Sequence, residues 1–420
     1  MKILVFNCGS SSIKYKLYEM PQASVVSAGC IQRIGEEMSE ASQKTGTKEI
    51  RVAKKVANHA EGMIAMSAML MDPEKGAIRS MSEIGACGHR VVHGGEKITG
   101  SVKIDAELIR IIEEYSELAP LHNPPNLVGI REAQKMFGDV VQVACFDTAF
   151  HTTMPEVSYL YALPYSMYEK LKIRKYGFHG TSHRYVARRA AEIMKKGKYD
   201  VNLITCHLGN GCSIAAVKNG CSVDTSMGLT PLEGLAMGTR TGDIDPAIIF
   251  HLVRKGYSPE QLDAIFNKKS GLLGISEISN DVRNLEEKAA GGSKRAELAL
   301  EIFAYRIKKY IGSYLAVLNG CDGIIFAGGI GENGVRMRQR ICADMDYLGI
   351  RLDAAKNEKA VGREAEIQAP DSRVRIFVIP TDEETAIAKD TFACAAQQVS
   401  DENPRMQVNA GRLQPASMPK

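Results

Sequence analysis

Short apolar runs that break on small polar or glycine residues recur along this chain. Residues 3–6 (Ile-Leu-Val-Phe) run into Asn7-Cys8-Gly9-Ser10-Ser11-Ser12, and residues 13–18 then alternate apolar positions with Lys14 and Lys16. That pattern predicts a β-hairpin with its tip at residues 7–12. Residues 204–208 enter a second such tip, Gly209-Asn210-Gly211, and the chain leaves it through the apolar run 214–217. Set side by side, residues 9–13 match 209–214 within one position, which predicts an internal duplication about two hundred residues apart. Asn219-Gly220 is a type I′ turn signal that leads into a third strand at 221–225. Another strand and glycine turn comes at 323–334, Gly-Ile-Ile-Phe-Ala-Gly-Gly-Ile-Gly-Glu-Asn-Gly.

Between these landmarks the period changes to that of a helix. Met63, Ile64, Met66 and Leu70 predict a helix over 58–71 that Asp72-Pro73 ends, and a strand precedes it at 25–34. Residues 84–95 form a strand entering Gly94-Gly95, and Asp105 caps a helix with Leu108, Ile111, Ile112 and Tyr115 on one face. Residues 119–126 (Ala-Pro-Leu-His-Asn-Pro-Pro-Asn) predict a rigid loop, with Asn126 capping the next helix. The nearly continuous apolar run 140–146 is a strand buried on both faces that delivers Asp147 at its carboxyl end. A loop at 176–183 precedes a helix through Val186, Ala190 and Ile193, and 230–245 is long, glycine-rich and irregular. Asp245-Pro246 and Ser258-Pro259 open two helices, the second with Gln261 completing a capping box. A long helix at 296–318 has Ile302, Phe303, Ile307, Tyr310 and Tyr314 toward the core. The chain closes with a strand at 374–379, a capping box from Thr381 to Glu384, a helix ending near Gln398, and a polar tail expected to be disordered.

At 420 residues the chain is too long for one core, so two or three domains are expected. A net charge of +4 gives no reason to expect nucleic acid or an anionic membrane as partner. The apolar start is too short for a signal peptide, and no run approaches the ~18 residues of a membrane span. Ten scattered cysteines without a Cys-x-x-Cys pair predict reduced thiols and a cytoplasmic protein.

The chemistry follows from the tips. Glycine, asparagine and serine leave backbone N–H groups uncovered, a geometry that suits phosphate. Taken singly each tip reads as an ordinary turn, and their repetition argues for a cleft holding several phosphates. Arg90, Arg240, Lys14 and His179 lie in irregular, glycine-flanked segments, and Asp147 and Glu383 are carboxylates able to hold magnesium directly or through water. Residues 329–334 also match G-x-G-x-x-G, with Asp353 where a ribose ligand would stand. A dinucleotide fold usually begins with that motif, and here fewer than ~100 residues follow it. No G-x-x-x-x-G-K-[ST] occurs, which removes a P-loop kinase.

Over residues 1–398 the chain resembles the acetokinase family, of the superfamily of sugar kinases, actin and the heat-shock chaperone ATPases. The resemblance is carried by Asn-Cys-Gly-Ser-Ser-Ser-Ile-Lys at 7–14, His-Arg-Val-Val-His-Gly-Gly-Glu at 89–96, Leu-His-Asn-Pro at 121–124 and Phe-Asp-Thr-Ala-Phe-His at 146–151. It continues through Tyr-Gly-Phe-His-Gly-Thr-Ser-His at 176–183, His-Leu-Gly-Asn-Gly at 207–211, Met-Gly-Thr-Arg-Thr-Gly-Asp at 237–243, Ala-Gly-Gly-Ile-Gly-Glu-Asn at 327–333 and Thr-Asp-Glu-Glu at 381–384. What it implies is a duplicated two-domain α/β fold of ribonuclease-H-like, actin-like ATPase type with an interdomain cleft. The implied domains are 1–148, completed by the helix 383–398, and 149–382, with 399–420 as the tail.

The implied activity is reversible, magnesium-dependent transfer of phosphoryl from ATP to acetate, with Mn2+ able to substitute and a homodimer as the usual assembly. Propionate and butyrate kinases are the nearest alternatives; a non-enzymatic actin-like or chaperone-like switch is the rival from another class. By resemblance Arg90, Asp147, His179 and Arg240 are catalytic, and Arg90, Val92, Leu121, Phe178 and Pro231 surround acetate. Asn7 and Glu383 support the metal, and Asn7, Ser10, Ser12, Lys14, His207, Gly209, Asn210 and Gly211 run along the phosphates. Asp281, Val282, Arg283, Gly329, Ile330, Gly331 and Asn333 match the adenosine site, and His122 flanks the cleft. Val282 stands where an aromatic is common and Pro125 where a small residue is common.

Overall fold

In a computed structural model that describes residues 1–120 and 122–396, the chain forms two mixed sheets with helices on both faces. Strands β1 (Lys2–Gly9), β2 (Ser12–Glu19), β3 (Ser24–Gln32), β4 (Ser39–Thr45), β5 (Lys48–Lys54), β6 (Ile84–Val91), β7 (Val102–Lys103) and β8 (Val141–Phe146) make the first, in the order β5-β4-β3-β2-β1-β6-β8-β7. Strands β9 (Leu203–Leu208), β10 (Cys212–Lys218), β11 (Cys221–Thr225), β12 (Gly323–Ala327), β13 (Ala365–Glu366) and β14 (Arg375–Val378) make the second, in the order β11-β10-β9-β12-β14-β13. The expected duplication is visible in the pairing. β3-β2-β1 is antiparallel and continues into parallel β6 and β8, and β11-β10-β9 continues in the same way into β12 and β14.

The continuous apolar runs are explained by burial on both faces, because a strand turns alternate side chains to opposite sides. On β1, Leu4 and Phe6 belong to a core with Met63 and Met66 of the helix His59–Leu70, while Ile3 and Val5 belong to one with Ile387 of the C-terminal helix Glu383–Ala395. The last helix therefore packs on the first sheet. On the second sheet, Ile204 and Cys206 share a core with Phe303 and Ile307 of the long helix Lys294–Leu318. Leu203 and Ile325 pack instead with Val186 and Ala190 of the helix Gly180–Ile193. Truncating a fully buried residue such as Ile387 to alanine costs about 2–5 kcal/mol, enough to loosen the closing helix.

Several local expectations change. The first tip is only Ser10-Ser11, because Gly9 pairs with Ser12 and the strands run further than predicted. Asn126 is no cap: the helix begins earlier, as Asn123–Phe137, with Pro124 and Pro125 in a first turn where a missing N–H costs nothing. Part of the expected rigid loop 119–126 is thus helical, and Pro125 is accommodated there. Thr381 makes no capping box either, since Asp382 caps the last helix by accepting from the Thr385 N–H. Residues 328–333, expected as a turn, form the short helix Gly328–Asn333. The type I′ turn at Asn219-Gly220 stands, with φ of 49° and 71°, as does the Ser258/Gln261 capping box. The end of the last predicted helix and the tail fall outside the described residues. No helix among the described residues is long and apolar enough to cross a membrane.

Candidate active site

The carboxyl ends of β1, β6 and β8 bring Asn7, Arg90 and Asp147 together, where ligands bind in sheets of this kind. Arg90 Nη2 donates to Asp147 Oδ2 at 2.5 Å and Nε to Oδ1 at 3.2 Å, a two-pronged pair that fixes the guanidinium plane. Among the described residues Nη1 keeps only a 3.4 Å contact with Asn7 Oδ1. Asp147 is buried, and its carbonyl accepts from the Gly180 N–H at 2.8 Å. A Cβ on Gly180 would lie 2.1 Å from that oxygen, so only glycine lets the helix bearing His179 approach the first sheet so closely.

From the last helix Glu383 comes within 3.6 Å of Arg90 Nε. Burial pushes its carboxyl pKa up to about 7; Arg90 opposes the shift, while Asp147 and Glu384 add to it. Asn7, Arg90, Thr381, Glu383, Glu384 and Ile387 line one cavity. Lys14, exposed on β2, is the cross-strand neighbour of Asn7.

The second sheet contributes the other wall. His179 caps the helix Gly180–Ile193 in a left-handed conformation, φ 56°, and stacks on His207 with ring centres 4.2 Å apart. Burial holds His179 well below the ordinary imidazole range, and the neighbouring His207 and His183 and the charges of Arg90 and Arg240 push the same way. His122 is also lowered, first by burial and then by both arginines. These effects put Arg90, Arg240, His122 and His179 within electrostatic reach of one another.

Arg240 reaches in from the irregular loop, donating through Nη1 to the Pro231 carbonyl at 3.1 Å. Among the described residues no carboxylate neutralises it, and burial lowers its pKa. A Cβ placed on Gly211 would meet Arg240 Nη1 at 3.5 Å and His179 Nε2 at 3.6 Å, so both groups face the space above that glycine. Asn210 beside it is held on two sides: its carbonyl accepts from the Gly238 N–H, and its Oδ1 from Asn280 Nδ2 at 3.0 Å. His207 Nε2 faces the Gly209 tip.

The remaining expected residues lie near or beyond this center. Val92 and Phe178 are buried, Pro231 is half-buried, and Leu121 lies outside the described residues. Ser10 is exposed and Ser12 half-buried at the first tip. Asp281 caps its helix and pairs with the exposed Arg283 at 2.6 Å, and Val282 lies inside the core of the second sheet. Gly329 has open space where a side chain would be; Gly331 is buried, Ile330 half-buried, and Asn333 Nδ2 donates to the Gly329 carbonyl.

Two groups of positioning residues went unread in the sequence. Asn123 and Asn126 use their buried amides to hold the His93 and Val92 N–H groups, and Asn126 also donates to the Cys8 carbonyl, so the helix Asn123–Phe137 clamps the arginine-bearing strand. Glu332 Oε1 accepts from the Gly328 and Thr381 N–H groups, and Thr381 Oγ1 meets Ser182 Oγ, which meets His207 Nδ1, each at 2.7 Å. Two asparagines at helical spacing (i, i+3) were the only available signal for the first group.

Two mixed sheets of matching order with interleaved helices form a duplicated α/β fold of actin-like ATPase architecture, and Arg90, Arg240, His179 and the glycine tip at 209–211 are the groups a phosphotransferase would need there. Residues 2–389 match the model of the acetokinase family. The acetate kinase of Methanosarcina mazei is 54% identical over 393 residues, covering 93% of this chain and 96% of that one. The solved structure of Porphyromonas gingivalis acetate kinase superposes with a TM-score of 0.89 at 46% identity, covering 94% of this chain and 99% of that one. A propionate kinase from Francisella tularensis superposes with a TM-score of 0.88 at 42% identity, covering 93% and 99%. This chain belongs to the acetokinase family, and it is a kinase.

Proposed function

We propose that the chain transfers the γ-phosphoryl group of ATP reversibly to acetate, giving ADP and acetyl phosphate. The observation that carries this reading is the convergence of Arg240, which has no carboxylate partner among the described residues, with His179 Nε2 above Gly211. Two anions must meet in such a reaction, and at ~4 Å their repulsion is about 4 kcal/mol at an effective dielectric near 20. Arg240 offers an unneutralised fork for that charge, and Arg90, oriented by Asp147, offers a second through Nη1. An acetate oxygen attacks γ-phosphorus in line as the bond to the ADP oxygen breaks. Acetate is ionised at neutral pH, so no group has to take its proton, and His179 acts as a neutral hydrogen-bond donor.

The oxygen donors Asn7 and Glu383 fit a hard cation such as Mg2+ or Mn2+. Among the described residues no group of three or more His, Cys, Asp or Glu side chains is placed to hold a metal ion by itself, so the proposed ion is one shared with phosphates and water. When bound, the ion supplies positive charge to the phosphate oxygens. In this reading Ser10, Ser12, Lys14, His207, Gly209, Asn210 and Gly211 follow the phosphates. Asp281, Val282, Arg283, Gly329, Ile330, Gly331 and Asn333 are assigned to adenosine. Val92, Leu121, Phe178 and Pro231 enclose the methyl group, with His122 at the rim. The domains meet at 148/149, and the last helix returns to the first. A homodimer is supported by the helix Ala247–Arg254, whose Ile248, Ile249, Phe250 and Val253 are all exposed.

The match to a propionate kinase supports a second reading, in which a longer acyl chain is preferred. Trapping the acyl phosphate with hydroxylamine while comparing acetate, propionate and butyrate decides between them. Acetate is expected to have the highest kcat/KM, by roughly 10-fold for one methylene. A preference for propionate or butyrate would replace the first reading with the second.

A further inference from the structure

The inside face of the second sheet carries a line of polar side chains that no step above employs. Ser213 Oγ lies 2.9 Å from His179 Nδ1 and 2.7 Å from His183 Nε2, and His183 Nδ1 lies 2.7 Å from Thr205 Oγ1. Ser213, His183 and Thr205 are fully buried. They come from β10, the helix Gly180–Ile193 and β9, so only the folded chain brings them into line.

We propose that Ser213, His183 and Thr205 are positioning residues that fix the tautomer of His179, leaving its proton on Nε2 and aimed at the transferring phosphoryl group. This rests on the reading of His179 given above. The argument is a count of protons. Two neutral imidazoles and two hydroxyls bring four donor hydrogens to three contacts. In one arrangement Thr205 donates to His183 Nδ1, His183 Nε2 donates to Ser213, and Ser213 donates to His179 Nδ1. Every hydrogen inside the line is then used, and the fourth stands on His179 Nε2, which faces the same space as Arg240.

In the reverse arrangement His179 donates from Nδ1 and every bond runs the other way. The Thr205 hydroxyl hydrogen is then left without an acceptor, since among the described residues its oxygen meets only His183. A buried donor without a partner is costly, whereas a spare hydroxyl lone pair costs little. The reverse order would also turn a bare nitrogen lone pair toward an anion. Both considerations select the first arrangement. Burial holds His179 and His183 well below the ordinary imidazole range, which keeps both rings neutral as the count requires.

The test uses the full chain labelled with nitrogen-15 histidine, read by NMR at neutral pH without substrate. Nitrogen shifts distinguish a protonated from a bare ring position, and assignment uses single-histidine variants. Wild-type protein is expected to show His179 protonated on Nε2 and bare on Nδ1, and His183 likewise. A proton on His179 Nδ1 would overturn the proposal. In Ser213→Ala the His179 signals should shift toward the other tautomer, and kcat should fall roughly tenfold or more with KM for ATP little changed. Ser213→Thr, which keeps the hydroxyl, should recover both properties. A Ser213→Ala protein with wild-type shifts and kcat would overturn the relay, and so would a Ser213→Thr protein that folds but behaves like the alanine variant. A wild-type tautomer as predicted, in a protein that makes no acyl phosphate, would instead count against the proposed reaction while supporting the relay.

Discussion

Arg240→Lys separates charge from geometry at a buried guanidinium that no carboxylate among the described residues neutralises. Lysine keeps the positive charge, so the Coulomb part of the stabilisation, about 4 kcal/mol for an anion at ~4 Å, is largely retained. What it loses is the fork. Arg240 holds the Pro231 carbonyl with Nη1 and still has Nη2 and Nε for an anion, whereas one ammonium has to divide itself between the two. Losing one charge-assisted hydrogen bond to the transition state is worth about 1.5–3 kcal/mol, or roughly a 10- to 150-fold fall in kcat. Among the described residues no carboxylate is orphaned by the change, so the fold should be untouched. The assay is steady-state acyl hydroxamate formation at saturating ATP, magnesium and acetate, with the thermal midpoint measured in parallel. A kcat within about threefold of wild type would refute the bidentate argument. A fall in kcat matched by loss of the folded state would instead assign Arg240 to the structure of its loop.

Glu383→Gln should raise the magnesium concentration needed for half-maximal rate, because it removes the charge of one of two metal-supporting residues; an unchanged titration curve would take Glu383 out of the metal site. Phe250, 62% exposed on the helix Ala247–Arg254, should be covered in a homodimer, so Phe250→Glu is expected to shift the molar mass measured by light scattering from two chains to one. A wild-type protein that is monomeric at micromolar concentration would refute that assembly.

How far the sequence spoke depended on the range of the interaction. The hairpins were legible because period-two burial and polar tips are local, and the duplication followed from two of them. β4 and β5 gave no such signal: Ser39–Thr45 and Lys48–Lys54 are largely polar or charged, and β5 is the sheet's edge with β4 next to it. Asn126 looked like a cap because asparagine is a favoured N-cap residue, yet its amide serves Val92 and Cys8, which are remote in sequence. Thr381 and Asp382 are both good caps, and nothing local says that the threonine hydroxyl is taken by Ser182. The candidate residues were named through family resemblance, and the fold brings Asn7, Arg90, Asp147 and Glu383 together on one wall and His179, His207, Gly211 and Arg240 on the other. The bidentate hold of Asp147 on Arg90 is made across neighbouring strands of the first sheet, and the line from Thr205 to His179 between the second sheet and the helix Gly180–Ile193, so both arise only once residues remote in sequence have been folded together.

The claim that this cleft joins ATP to a carboxylate is tested most directly by counting products. ADP release is measured with and without acetate, alongside the hydroxamate trapped from the same reaction. The account predicts ADP release that depends on acetate and one hydroxamate for each ADP. ADP released at the same rate without acetate, with no hydroxamate formed, would contradict it and point to a nucleotide switch.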